Sequence, residues 1–124
     1  MGRRSRQRRE SEKLGAPTTD YRDADGNVLT LRGSMTPATR REYAAVLAGG
    51  GAARAAATRE DAWQRAVEFL FERLAVRWEI AGAPIAKQDE LLARLRFASQ
   101  DERAWIRGVL REHLAEWFPD VEAP

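Results

Sequence analysis

No cysteine occurs among the 124 residues, which excludes disulfides, thiolate nucleophiles and metals held by sulfur. One histidine, His113, leaves no histidine-rich metal site to assemble, and no metal or cofactor is expected. No run of about eighteen apolar residues is present, so nothing is expected to span a membrane. The charged start MGRRSR is not followed by an apolar signal core, and Arg6 stands where a myristoylation pattern needs serine or threonine. A cytoplasmic protein is expected. Lysine is scarce as well: 19 of the 21 cations are arginine, which beside so much alanine reads as codon preference, so arginine abundance is weak evidence for nucleic-acid recognition.

What is present suffices to fold. With 44% hydrophobic residues and four tryptophans, a chain of this length buries about two thirds of its unfolded surface around one core. The net charge of +2 is unevenly spread. Arg3, Arg4, Arg6, Arg8, Arg9 and Lys13 face only Glu10 and Glu12 within residues 1–13, a local balance of +4 that leaves −2 for the rest. Residues 1–19 therefore read as a disordered basic arm, available to a phosphate backbone or an acidic surface, and 20–124 as one folded unit.

The stretch 58–82 organises that unit. Thr58 caps, Glu60 and Asp61 suit the positive end of a helix, and Gly82 closes it. At helical spacing Trp63, Ala66, Val67, Leu70, Leu74, Trp78 and Ala81 share one side, which Ala62, Phe69, Val76 and Ile80 widen. The pattern predicts a central helix over about 59–81. Arg73 and Arg77 fall inside this apolar sector, either as snorkelling side chains or as internal contacts for an anion.

The surrounding segments are shorter. Residues 20–33 read as a hairpin turning at Asp25-Gly26 before the strand-forming Val28–Leu31. The DADGN run fails as a calcium loop, because Tyr21 and Arg32 would occupy the first and closing ligand positions. Thr36-Pro37 starts a helix reaching about Ala48, with Tyr43, Val46 and Leu47 inward, and Gly49, Gly50 and Gly51 stop it. That triple glycine lacks the Lys-Ser/Thr ending of a phosphate loop. Pro84 turns the chain into a helix over about 86–98 with Leu91, Leu92 and Leu95 inward. Ser99 with Glu102 forms a capping box for a last helix ending before Pro119, its core face running from Trp105 through Ile106, Val109, Leu110, His113 and Leu114 to Trp117. His113 on an apolar face reads as a hydrogen-bonded core residue.

The expected fold is mainly α, a four-helix domain around the central helix with a small N-terminal hairpin. Candidate contact residues lie on the last helix, where Arg103, Arg107 and Arg111 repeat every four positions beside the small Ala104, Gly108 and Ala115. A like-charge series costs a few tenths of a kcal/mol per pair, so something compensates it. Phe97 projects nearly opposite its helix's core face, either bending into the corner before the next helix or standing exposed as an anchor for a partner. The favoured function is a non-enzymatic adaptor or assembly factor binding another protein, or itself as a homo-oligomer, through Arg103, Arg107, Arg111, Gly108 and Phe97. The alternative is a nucleic-acid-binding regulator, whose arm and arginine stripe contact phosphates. No constellation of nucleophile, base and acid points to an enzyme.

Overall fold

The computed structural model describes residues 17–49 and 59–124. The basic arm up to residue 16, the glycine and alanine connector 50–57 and the Thr58 cap lie outside them. Strand β1 (Thr18–Arg22) pairs antiparallel with β2 (Val28–Arg32), so that Tyr21 stands opposite Leu29. The acids between them serve the turn: Asp23 Oδ1 accepts from the backbone N–H groups of Asp25 and Asn27, each at 2.9 Å, and Gly26 supplies φ 83°. Asp23 thus satisfies the backbone of its own loop, as turn-forming aspartates do.

Helix α1 (Pro37–Leu47) begins as its residues dictate, with Thr36 Oγ1 accepting from Thr39 N–H at 3.1 Å and proline in the first turn. Helix α2 (Arg59–Leu74) carries the buried Ala62, Ala66, Leu70, Phe71 and Leu74. There the expectation of one long central helix fails. Residues Ala75–Ile80 form strand β3, which pairs antiparallel with β2, Trp78 opposite Leu29 and Arg77 opposite Thr30. A short β4 (Ala83–Ile85) follows through a tight turn at Ala81-Gly82 and sets Ile85 opposite Trp78. Among the described residues the sheet has four antiparallel strands in the order β1-β2-β3-β4, and with the four helices described there the fold is α+β, not a mainly α four-helix domain.

The physical reason lies in the alternation Val76, Arg77, Trp78, Glu79, Ile80, with polar residues at every second position. As a strand it sends Trp78 to the core and Arg77 and Glu79 to the other face; as a helix it would bring Arg77 into the apolar sector. Pairing with β2 also satisfies both backbones, which a hairpin left alone would do only marginally.

Helix α3 (Gln88–Arg96) and helix α4 (Gln100–Trp117) follow the sheet. The predicted capping box closes as expected, Glu102 N–H donating to Ser99 Oγ at 3.1 Å and Ser99 N–H to Glu102 Oε1 at 2.9 Å. The core joins one sheet face (Tyr21, Leu29, Leu31, Trp78) to Leu70, Phe71 and Leu74 of α2, Leu91 and Leu95 of α3, and Ile106, Leu110 and Leu114 of α4. Each such large side chain contributes about 1.5–3 kcal/mol by leaving water. The opposite sheet face carries Asp20, Arg22, Arg32 and Arg77 and stays open. No described helix is long and apolar enough to cross a membrane.

Candidate functional site

The arginine series on α4 finds its compensation, each guanidinium in a different way. Arg103 turns back to the end of α3, donating through Nη2 to the carbonyl of Arg96 at 2.9 Å and through Nε to that of Ala98 at 3.4 Å. It thereby satisfies carbonyls that a helix end leaves without partners. Arg107 lies over the Trp63 ring, 4.8 Å from its centre, with Glu60 at 3.9 Å. Arg111 donates through Nη1 to the backbone oxygen of Pro124 at 2.8 Å, and Arg107 Nε reaches the same oxygen at 3.4 Å. Three like charges one turn apart are tolerated because each has its own acceptor, carboxylate or indole face to offset it.

These contacts frame a groove of about 250 Å³ between α2 and α4. Trp63 and Val67 of α2, Leu95 of α3 and Ala104 of α4 give it an apolar floor. Ion pairs span it at both ends, Arg107 to Glu60 and Arg96 to Glu68, the latter at 2.7 Å. Phe97, next to Arg96 at the end of α3, is 86% exposed. No other large apolar side chain among the described residues is left so open. Gly108 is exposed too, and among the described residues a Cβ added there would meet nothing within 4 Å, so none of them requires a glycine at that position.

The other candidates lie elsewhere. Arg73 pairs with Glu42 at 3.2 Å and sits over Phe69, while Arg77 on the open sheet face has Glu79 at 3.7 Å. Their side chains are 42% and 49% exposed, so neither is a buried cation. Arg3, Arg4, Arg6, Arg8 and Arg9 fall outside the described residues.

His113 is fully buried, as its apolar face suggested. Its Nε2 faces the carbonyl of Arg32 and its Nδ1 the hydroxyl of Tyr21, each at 2.8 Å. Burial is the main cause that holds its pKa below the ordinary imidazole value. A neutral ring with both nitrogens engaged ties the hairpin to α4 and has no free nitrogen for catalysis.

The floor of the groove was hidden in the sequence, because Trp63 and Val67 read as core. The unusual width of the apolar sector on α2 was the available signal, since a helix apolar over most of its girth either is enclosed or presents apolar surface to a partner. Residues 119–124, which reach Arg107 and Arg111, were missed as well; their alternation of Asp120 and Glu122 with Val121 and Ala123 was the sign. Comparison with family models, curated proteins and solved structures finds no match to this chain.

Proposed function

We propose that the protein acts by binding, as a non-enzymatic adaptor or assembly factor that receives a segment of another protein at the groove between α2 and α4. The observation that carries this reading is Phe97, exposed and next in sequence to Leu95 and Arg96, which line the groove. An aromatic ring held in water gains free energy when a partner covers it. The guanidinium groups of Arg103 and Arg107 are already held by their own chain, so a partner does not have to order them, which lowers the entropic cost of association.

The test is capture from lysate after nuclease treatment, with the unaltered chain beside Phe97→Asp and Ala104→Arg, which charges the anchor and fills the groove. A protein retained by the unaltered chain and lost with both variants supports the adaptor. Retention by all three overturns the assignment to this groove. Nucleic acid recovered without nuclease, and lost from a chain beginning at Ala16, would instead favour the regulator acting through the arm. A concentration-dependent mass in sedimentation, abolished by Phe97→Asp, would make the occupant a second copy rather than another protein.

A further inference from the structure

Among the described residues the sheet ends in two unlike edges. At one of them β4 is three residues long and carries Pro84 opposite Glu79. The pair that flanks a two-residue turn exchanges backbone hydrogen bonds, here Ile80 and Ala83, so Pro84 stands where an N–H would face outwards. A proline at that place denies a further strand its donor.

At the other edge the same alternation leaves the backbone open. Gly33 N–H donates to the Pro17 carbonyl at 2.8 Å and Asp23 N–H to that of Asn27 at 3.0 Å, so in β1 it is Thr19 and Tyr21 whose backbones bond to β2. Thr18, Asp20 and Arg22 turn their N–H and C=O groups outwards, and among the described residues no strand lies beyond them. Neither a proline nor a bulge interrupts the five residues of β1. An edge of this kind is a template for one more strand.

Which strand it takes is set by α4. His113 and Trp117 hold that helix over β1 through Tyr21 and Thr19. Arg107 stands about 120° round the helix from His113 on one flank, where it meets Trp63 of α2, while Glu112 and Glu116 stand about 100° and 60° round on the other. Both carboxylates are exposed, and after burial they are what raises the pKa of the Tyr21 hydroxyl, so they stand close to β1. On the open sheet face the edge is balanced, with Arg22 two residues from Asp20, which accepts from Thr30 Oγ1 at 2.6 Å. The outward backbone of β1 is therefore overhung by negative charge. A second copy paired through its own β1 would set its Glu112 and Glu116 against these two, a repulsion, whereas a strand with cations on that face is attracted.

We infer that the β1 edge receives an extended segment of another protein as a further strand of the sheet, with arginine or lysine at alternate positions directed at Glu112 and Glu116. Backbone bonds to Thr18, Asp20 and Arg22 hold the segment, and the two carboxylates select its charge. This surface lies on the opposite flank of α4 from the groove and does not rest on what fills the groove.

The test uses the full chain and a fluorescent peptide of about nine residues that alternates arginine with the strand former threonine, blocked at both ends. Hydrogen exchange in the unaltered chain reads the pairing. The amides of Thr19 and Tyr21, bonded to β2, exchange slowly from the start, and saturating peptide is expected to slow those of Asp20 and Arg22 about tenfold or more, an alternation that ionic adhesion alone does not produce. Glu112→Gln with Glu116→Gln is expected to weaken binding about tenfold through the loss of two exposed ion pairs, and a peptide with glutamate in place of arginine is not expected to bind. Asp20→Pro removes an outward N–H without breaking a bond to β2 and is expected to abolish binding; the exchange measurement decides the matter even where that variant fails to fold. Bound peptide without the alternate slowing, or equal affinity for the chain lacking the two carboxylates, overturns the inference. So does slow exchange at Asp20 and Arg22 before peptide is added: at every concentration it means that the chain covers its own edge, and rising with concentration it means that a second copy does.

Discussion

The Tyr21 hydroxyl donates a hydrogen bond to His113 Nδ1 at 2.8 Å, joining the first strand to the last helix across 92 residues of sequence. Its direction follows from the far side of the ring. The Arg32 carbonyl at 2.8 Å from Nε2 only accepts, so Nε2 carries the hydrogen and Nδ1 is left as an acceptor. Tyr21→Phe keeps the shape and strands that acceptor at a position with no solvent access. The expected loss is about 1–3 kcal/mol, read as a lower urea midpoint at unchanged slope. An unchanged midpoint would mean that the bond has no net effect on folding.

Acid should weaken the same joint. Burial lowers the folded-state pKa of His113, against the opposing influence of its bond to Arg32 and of Glu116. The unfolded chain, with an imidazole near 6.5, then takes up the proton first. The stability His113 contributes is thus complete above about pH 6.5 and is lost progressively as the pH falls below it. Urea midpoints measured from pH 7 to 5 are expected to decline, and His113→Gln to flatten that decline whatever its own stability.

In alkali the two tyrosines should behave alike. Burial raises the Tyr21 hydroxyl to about 12, with Glu116 and Glu112 adding to the effect. Burial raises Tyr43 further still, assisted by Glu122. The unfolded chain ionises first, near pH 10, so this contribution to stability is full below that pH and declines above it. Phenolate absorbance is expected to rise together with loss of helical circular dichroism, in one transition. A tyrosine titrating normally in the folded chain would contradict the burial of one ring.

Gly33 is required by its neighbour. A Cβ there would lie 2.8 Å from the Trp117 ring, and that ring is fixed by its own N–H, which donates to Thr19 Oγ1 at 3.0 Å. With the indole unable to swing away, Gly33→Ala forces the hairpin and α4 apart. The expected cost is about 1–3 kcal/mol, with altered near-ultraviolet tryptophan dichroism. A normal spectrum and midpoint would show that the ring yields cheaply.

Local chemistry made much of this molecule legible. Thr36-Pro37, Ser99 with Glu102, and Gly26 each specify a backbone event within a few residues, and each is found where its residues put it. The passage from α2 to β3 was not legible in the same way, because Leu70, Leu74 and Trp78 keep helical spacing while Trp78 also points inward from a strand. Arg77 was the discordant residue, unwelcome on a buried helix face and ordinary on an open sheet face opposite Thr30. At the candidate site, spacing set the arginines in a row but not what crosses them. Trp63 comes from another helix and Pro124 from a segment that folds back, and neither contact is encoded in the periodicity of α4.

Ala81 offers a test of the strand itself. It has φ 51°, with Gly82 at φ 79°, and the two form the connection between Ile80 and Ala83, a turn of the type that needs both central residues left-handed. An alanine there is strained by roughly 1–2 kcal/mol, while its N–H is held by Asn27 Oδ1 at 3.0 Å. Asparagine tolerates this conformation and keeps the N–H, so Ala81→Asn is expected to raise stability by about 0.5–1 kcal/mol. Were residues 75–81 the end of a helix, the same change would lower stability by about 0.5 kcal/mol, because asparagine is a poorer helix former than alanine. The sign of the shift in urea midpoint therefore decides between strand and helix for the segment that sets the fold class.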